Sequence, residues 1–153
     1  MTISFHNMGV SAIRRLNLFI FLFFHISNTE CRDMFTTYKY EVHIFSWLPD
    51  NTDLLEFRCQ SKDDDLGYHK LHVGEGYYWK FKDNFFGNTL FFCHFYWQKK
   101  EKVFDVFNRE TECNIVADGA THKCYWLAKV DGFYLSNYKA NPTSPDWKKL
   151  ESW

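Results

Sequence analysis

Leu54-Leu55-Glu56-Phe57-Arg58-Cys59-Gln60-Ser61-Lys62-Asp63-Asp64-Asp65-Leu66-Gly67 decides the fold class. Leu55, Phe57 and Cys59 alternate with Glu56, Arg58 and Gln60, the period of a strand with one buried face. Cys59 therefore points inward. Three consecutive aspartates cannot continue a buried strand, because they repel one another and each carboxylate is costly to desolvate. The chain is expected to surface in an acidic turn from Lys62 to Gly67.

Outward from this stretch the same period recurs. Tyr38, Tyr40, Val42 and Ile44 predict a strand that ends at Leu48-Pro49-Asp50-Asn51, and the quoted stretch supplies another over Asp53–Ser61. His69 to Val73 reads as a short strand, and Gly74-Glu75-Gly76 as a hairpin connection. Tyr77, Trp79 and Phe81 then face one way, with Tyr78, Lys80 and Lys82 facing the other. A loop from Asp83 to Asn88 carries Phe85 and Phe86. Thr89 to Gln98 is apolar on both faces, which suggests a central strand buried on both sides or covered on one side by a loop.

Lys99-Lys100-Glu101 reads as a charged turn before a strand over Lys102–Phe107. Periodicity fails from Asn108 to Lys123, a long loop holding Cys113 and Asp118 that a disulfide would make tolerable. Cys124, Trp126, Ala128 and Val130 share a strand face, and Asp131-Gly132 turns the chain back through Phe133, Tyr134 and Leu135. The tail from Asn137 to Trp153, with Pro142 and Pro145, reads as irregular or as a short terminal helix. No helical period precedes it. The expectation is an all-β fold, a small antiparallel β-sandwich of about seven to eight strands.

The first residues read differently. Arg14 and Arg15 precede an apolar run from Leu16 to Ile26, followed by polar Ser27 to Glu30. That order is a signal peptide, and the run is shorter than the ~20 residues a membrane span needs. Cleavage after Cys31 or after Thr29 satisfies the small-residue rule, giving a signal over 1–31 and a single β domain over 32–153. Cutting after Cys31 leaves Cys59, Cys93, Cys113 and Cys124, an even set that reads as two disulfides. Three pairings are open to four cysteines. No C-x-x-C pair occurs, so thiolate zinc is disfavoured.

Eighteen basic residues against nineteen acidic ones leave no surplus to neutralise phosphates, which argues against a nucleic-acid partner. No metal and no cofactor are expected. His69 and His72, three apart on a strand, fall on opposite faces and would not form an acid–base pair. His94 adjoins Cys93, but a disulfide-bonded sulfur is no nucleophile. Serine-hydrolase elbows, phosphate loops and H-E-x-x-H are absent. The three aspartates lack EF-hand spacing and read as a solvated turn rather than a calcium site. No Asn-x-Ser/Thr sequon occurs, since Pro142 disqualifies Asn141.

Taken in order, the signal-like segment, the quoted stretch, Trp79-Lys80-Phe81, Thr89-Leu90-Phe91-Phe92-Cys93-His94-Phe95-Tyr96-Trp97, Cys124-Tyr125-Trp126 and Asp131-Gly132-Phe133-Tyr134 resemble the plant self-incompatibility S1 family of S-protein homologues. The resemblance runs from about Tyr40 to Tyr138. It implies a small secreted extracellular protein whose four disulfide-forming cysteines are those named above. It also implies a non-enzymatic signalling ligand of a cell-surface receptor, as in poppy, where stigma-secreted members are recognised by pollen. A monomer without stable membrane insertion after signal removal is expected.

Partner contacts are expected on exposed loops carried by a rigid sheet. The candidates are Lys62, Asp63, Asp64, Asp65 and Leu66, then Phe85 and Phe86, and Asp118 in the span from Arg109 to Lys123. Two alternatives stand beside the ligand reading. One is a secreted carbohydrate or cell-wall-binding module stacking sugars on Trp79, Trp97 and Trp126. The other is a secreted ribonuclease, which would want two histidines in a basic cleft.

Overall fold

A computed structural model describes residues 38–83, 87–115 and 121–153, and Thr37–Trp153 forms one compact unit. The expected signal over 1–31, Cys31, Phe85, Phe86 and Asp118 lie outside the described residues. The strands are β1 (Lys39–Ser46), β2 (Leu55–Gln60), β3 (Asp65–Leu71), β4 (Gly76–Lys82), β5 (Phe91–Trp97), β6 (Lys100–Phe107), β7 (Asn114–Ile115), β8 (Thr121–Lys129), β9 (Gly132–Ser136) and β10 (Lys148–Glu151). They form an all-β sandwich, with eight strands of five residues or more and the short β7 and β10 besides.

The larger sheet runs β10-β9-β8-β1-β4, with β7 also on β8; the smaller runs β3-β2-β5-β6. Every pairing is antiparallel except β1 with β8, which is parallel from Lys39↔Thr121 to Ser46↔Ala128. Local periodicity gives no direction of pairing, so the expected antiparallel arrangement needs this one correction. Gly74-Glu75-Gly76 is also not a hairpin. It carries the chain from β3 in the smaller sheet to β4 in the larger, with Gly74 at φ +80° and its N–H donating to the Ser46 carbonyl at 2.8 Å.

Inward side chains from both sheets meet as rings. Phe57 packs near Tyr77, Trp79 and Phe81 against Phe91, and Phe95 and Phe104 against Phe133, with centroids 4.6–5.9 Å apart. Val42, Ile44, Leu55 and Val106 fill between them at 0–1% exposure. Such rings bury large apolar areas and prefer the tilted contacts seen here. On β5 only the odd positions are buried; Phe92, His94 and Tyr96 are half-exposed on the outer face, so the strand is central but not covered on both sides.

Both disulfides close between members of the expected set. Cys59–Cys93 ties β2 to β5 on the inward face of the smaller sheet, and Cys113–Cys124 ties the chain after β6 onto β8 of the larger. The irregular tail expected from Asn137 onward instead ends in β10, paired with β9. Lys148-Lys149-Leu150 has no apolar alternation, so only the pairing partner makes it a strand. Trp153 beyond it packs on Phe133 at 4.5 Å, and its Nε1–H donates to the Lys129 carbonyl at 2.8 Å.

Candidate recognition surface

The outer face of the smaller sheet is a grid set by strand register. One row crosses four strands as Tyr68, Arg58, His94 and Val103; the next is Lys70, Glu56, Tyr96 and Glu101. These residues alternate with the core positions Phe57, His69, Cys93 and Phe95, so the pleat that buries the rings presents this grid to solvent. Tyr68 is 65% exposed and Val103 52%.

Polar groups in the grid are paired with one another. Arg58 forms a two-pronged ion pair with Asp65, Nε donating to Oδ1 at 3.1 Å and Nη2 donating to Oδ2. That fork, helped by the Gly67 N–H, lowers the Asp65 carboxyl to about 2 and raises the Arg58 guanidinium. The guanidinium carbon also lies 5.2 Å from the Tyr68 ring centroid, within cation–π range. Tyr96 donates its hydroxyl proton to His94 Nδ1 at 2.8 Å; His94 Nε2–H then donates to Glu101 at 3.3 Å. Lys70 meets Glu56 at 2.6 Å. Exposed pairs of this kind add little stability. What they do is hold flexible side chains in one arrangement. At the end of the grid an open groove of about 650 Å³ is bordered by Tyr68, Tyr96, Glu56, Lys70 and Thr52.

The acidic stretch frames one edge. Its turn is shorter than expected: Ser61 N–H donates to the Asp64 carbonyl at 2.8 Å, while Ser61 Oγ accepts the N–H groups of Asp63 at 3.2 Å and Asp64 at 2.9 Å. Lys62, Asp63 and Asp64 form the exposed tip. Asp65 already belongs to β3 and is spoken for by Arg58, and Leu66 packs on the core. No group of three metal-ligating side chains occurs among the described residues.

Arg58, Tyr68, His94 and Tyr96 lie on strands β2, β3 and β5, outside the loops expected to make partner contacts. The alternation of Glu56-Arg58-Gln60 was the available signal, since it places Arg58 outward. The other expected features resolve by geometry. Trp79, Trp97 and Trp126 are 7%, 4% and 3% exposed, so none offers a face to a sugar. His69 points into the core, stacked on Tyr77 at 3.8 Å, on the opposite side of the sheet from His94. Cys93 beside His94 is bonded to Cys59.

Two stacked sheets with a disulfide on each define a small braced β-sandwich of the kind that persists in oxidising compartments. The family model described as "Plant self-incompatibility protein S1" matches residues 41–153, and the chain belongs to that family. S-protein homolog 24 of Arabidopsis thaliana is 40% identical over 94 residues, covering 61% of this chain and 58% of that protein. S-protein homolog 21 of the same plant is 33% identical over 124 residues, covering 78% and 88%. The match spans somewhat over half the length of several such relatives, 57% for S-protein homologs 5 and 29. A solved structure of SPH (Self-Incompatibility Protein Homologue) proteins, described as a widespread family of small, highly stable, secreted proteins from plants, shares the fold. Its TM-score is 0.51 at 17% identity, covering 74% of this chain and 97% of that one. The family is thus one of small secreted plant proteins.

Proposed function

We propose that the protein is a secreted, non-enzymatic ligand for a cell-surface receptor, engaged through the outer face of the smaller sheet, in cell-to-cell recognition of the self-incompatibility type. One observation carries this reading: Arg58, clamped by Asp65 and lying beside Tyr68, is preset at the centre of an exposed grid on a disulfide-tied sheet. Tyrosine and arginine are the residues that dominate binding energy at protein interfaces. Holding them rigid before contact lowers the ordering cost of association.

Chemistry favours binding over catalysis here. A cysteine–histidine nucleophile has no free sulfur at Cys93, and His69 and His94 on opposite sides of a sheet cannot share one substrate.

The test is saturable binding of labelled, oxidised protein to plant cell membranes, with and without protease treatment of the membranes. Protease-sensitive binding that falls at least ~10-fold in the Arg58→Ala/Tyr68→Ala protein supports the reading, since each such residue contributes ~1–2 kcal/mol or more at an interface. Binding of the variant at full strength would remove it. For the biological role, the protein applied to pollen of matched and unmatched genotypes should arrest only one of them.

A further inference from the structure

The near-neutral charge of the chain conceals a segregation that the fold creates. Along β1 the residues alternating with core Val42 and Ile44 are Lys39, Glu41, His43 and Phe45, which face away from the core. Register sets Lys82 opposite Lys39, and sets both Lys80 and Lys123 opposite Glu41. Lys139, from the tail, brings its ammonium 5.4 Å from the Phe45 ring. Five lysines therefore share this face with one carboxylate, and that carboxylate is consumed: Glu41 is buried and bonded to Lys80 at 2.8 Å, Lys123 at 3.1 Å and His43 at 3.2 Å. Much of the compensating acid lies elsewhere: Asp105, Glu110, Glu112, Asp146 and Glu151, with Lys148 the one base among them, line a cleft of about 440 Å³ by β6 and β10, where Glu151 pairs with Lys102 at 2.9 Å.

Beside the lysines runs a row of rings. Tyr78, His43 and Tyr125 are register partners on β4, β1 and β8, and they stack with centroids 5.1 and 4.7 Å apart and planes within 23°. β4 is the edge of the sheet, so the row ends at Tyr78, which is 55% exposed and on whose far side no other described ring stacks.

We propose that this face binds an acidic polysaccharide, a chain of uronic acid residues. Charge complementarity requires a polyanion, since a neutral glycan would leave the lysines unused. The uronate chain presents one carboxylate per ring, and the lysines stand on three adjacent strands ~4.8 Å apart, so one chain crossing them can meet several. Its pyranose rings have an apolar face for Tyr78, and its hydroxyls suit the phenol tips. A nucleic acid would favour forked arginines for its phosphates. Arg58 and Arg109, the two among the described residues, are on the smaller sheet and in the segment after β6. A membrane surface would favour aliphatic anchors where this row presents hydroxyls and an imidazole. The site is separate from the receptor face, on the other sheet.

The experiment is affinity electrophoresis and titration calorimetry of the oxidised protein with polygalacturonate. Fully methyl-esterified polygalacturonate, duplex DNA and phosphatidylserine vesicles serve as comparison partners. Binding to polygalacturonate that weakens with salt and drops at least tenfold on esterification is expected. Lys39→Glu/Lys82→Glu should weaken it at least tenfold, Tyr78→Ala several-fold, and Lys99→Glu, on the β5–β6 turn away from this face, less than twofold. Unfolding midpoints of the variants should match the parent within a few degrees. Equal affinity for the esterified polymer, stronger binding to DNA or vesicles, or a Lys99→Glu loss as large as that of the paired reversal would each overturn the proposal.

Discussion

Cys59 and Cys93 stand directly opposite each other on β2 and β5, with Cα atoms 4.1 Å apart and both side chains wholly buried. The bridge sits on the inward face beneath Arg58 and His94, so the same strand pair that is locked inside displays Arg58, His94 and Tyr96 of the outer grid, with Tyr68 beside them on β3.

The two bridges should differ in what they contribute. Cys59–Cys93 spans 34 residues and Cys113–Cys124 spans 11, so loop-closure entropy gives about 4 and about 3 kcal/mol respectively. Denaturant unfolding of the Cys59→Ala/Cys93→Ala and Cys113→Ala/Cys124→Ala proteins should show the first pair as the costlier loss. Vacated volume in the core adds to that difference.

Acid should loosen the larger sheet. Burial by itself would raise the Glu41 carboxyl, but hydrogen bonds from Lys80, Lys123 and His43 outweigh it and lower the value from 4.5 to about 2. His43 is lowered from 6.5, chiefly by burial, against the pull of Glu41. Both groups bind protons more readily when unfolded, so both stabilise at neutral pH and lose that contribution as pH falls. Stability should start to decline below about 6.5 and steepen below 4.5. The Glu41 part amounts to roughly 1–3 kcal/mol after allowing for the exposure of Lys80. Urea midpoints measured from pH 7 to pH 2 should show the steep portion flattened in Glu41→Gln.

Gly132 is needed for what lies beside it. It adopts φ +144°, and a Cβ there would come within 2.1 Å of the Glu151 carbonyl oxygen, in the backbone of β10. Gly132→Ala should therefore displace β10 and the Trp153 ring from the core, at a cost of about 2 kcal/mol or more. Amide exchange would read this as lost protection over Lys148–Glu151, with β2 and β5 unchanged.

Much of the sandwich was legible in the alternation of single strands. Tyr77-Tyr78-Trp79-Lys80-Phe81 reads unambiguously because the inward positions are aromatic and the outward ones include Lys80. The Asp131-Gly132 turn was also found, although the loop is Val130-Asp131 and Gly132 opens β9, where close approach of β10 demands it. What escaped depends on partners distant in sequence. The parallel β1–β8 pairing joins residues some eighty positions apart, β10 exists only as a neighbour of β9, and Gly74–Gly76 changes sheets where a hairpin was expected. Loops are the exposed segments that a sequence makes legible. The grid of Arg58, Tyr68, His94 and Tyr96 needs four strands in register before its members become neighbours.

A photo-crosslinking residue in place of Val103, which is exposed at the end of the Tyr68–Arg58–His94 row, tests the proposed receptor face most directly. Oxidised protein carrying it should form an adduct with a membrane protein, and that adduct should be competed by unlabelled parent but not by Arg58→Ala/Tyr68→Ala. A crosslinker at Lys99 should give none. Adduct formation from Lys99 but not from position 103, or equal competition by the variant, would contradict the assignment of this face.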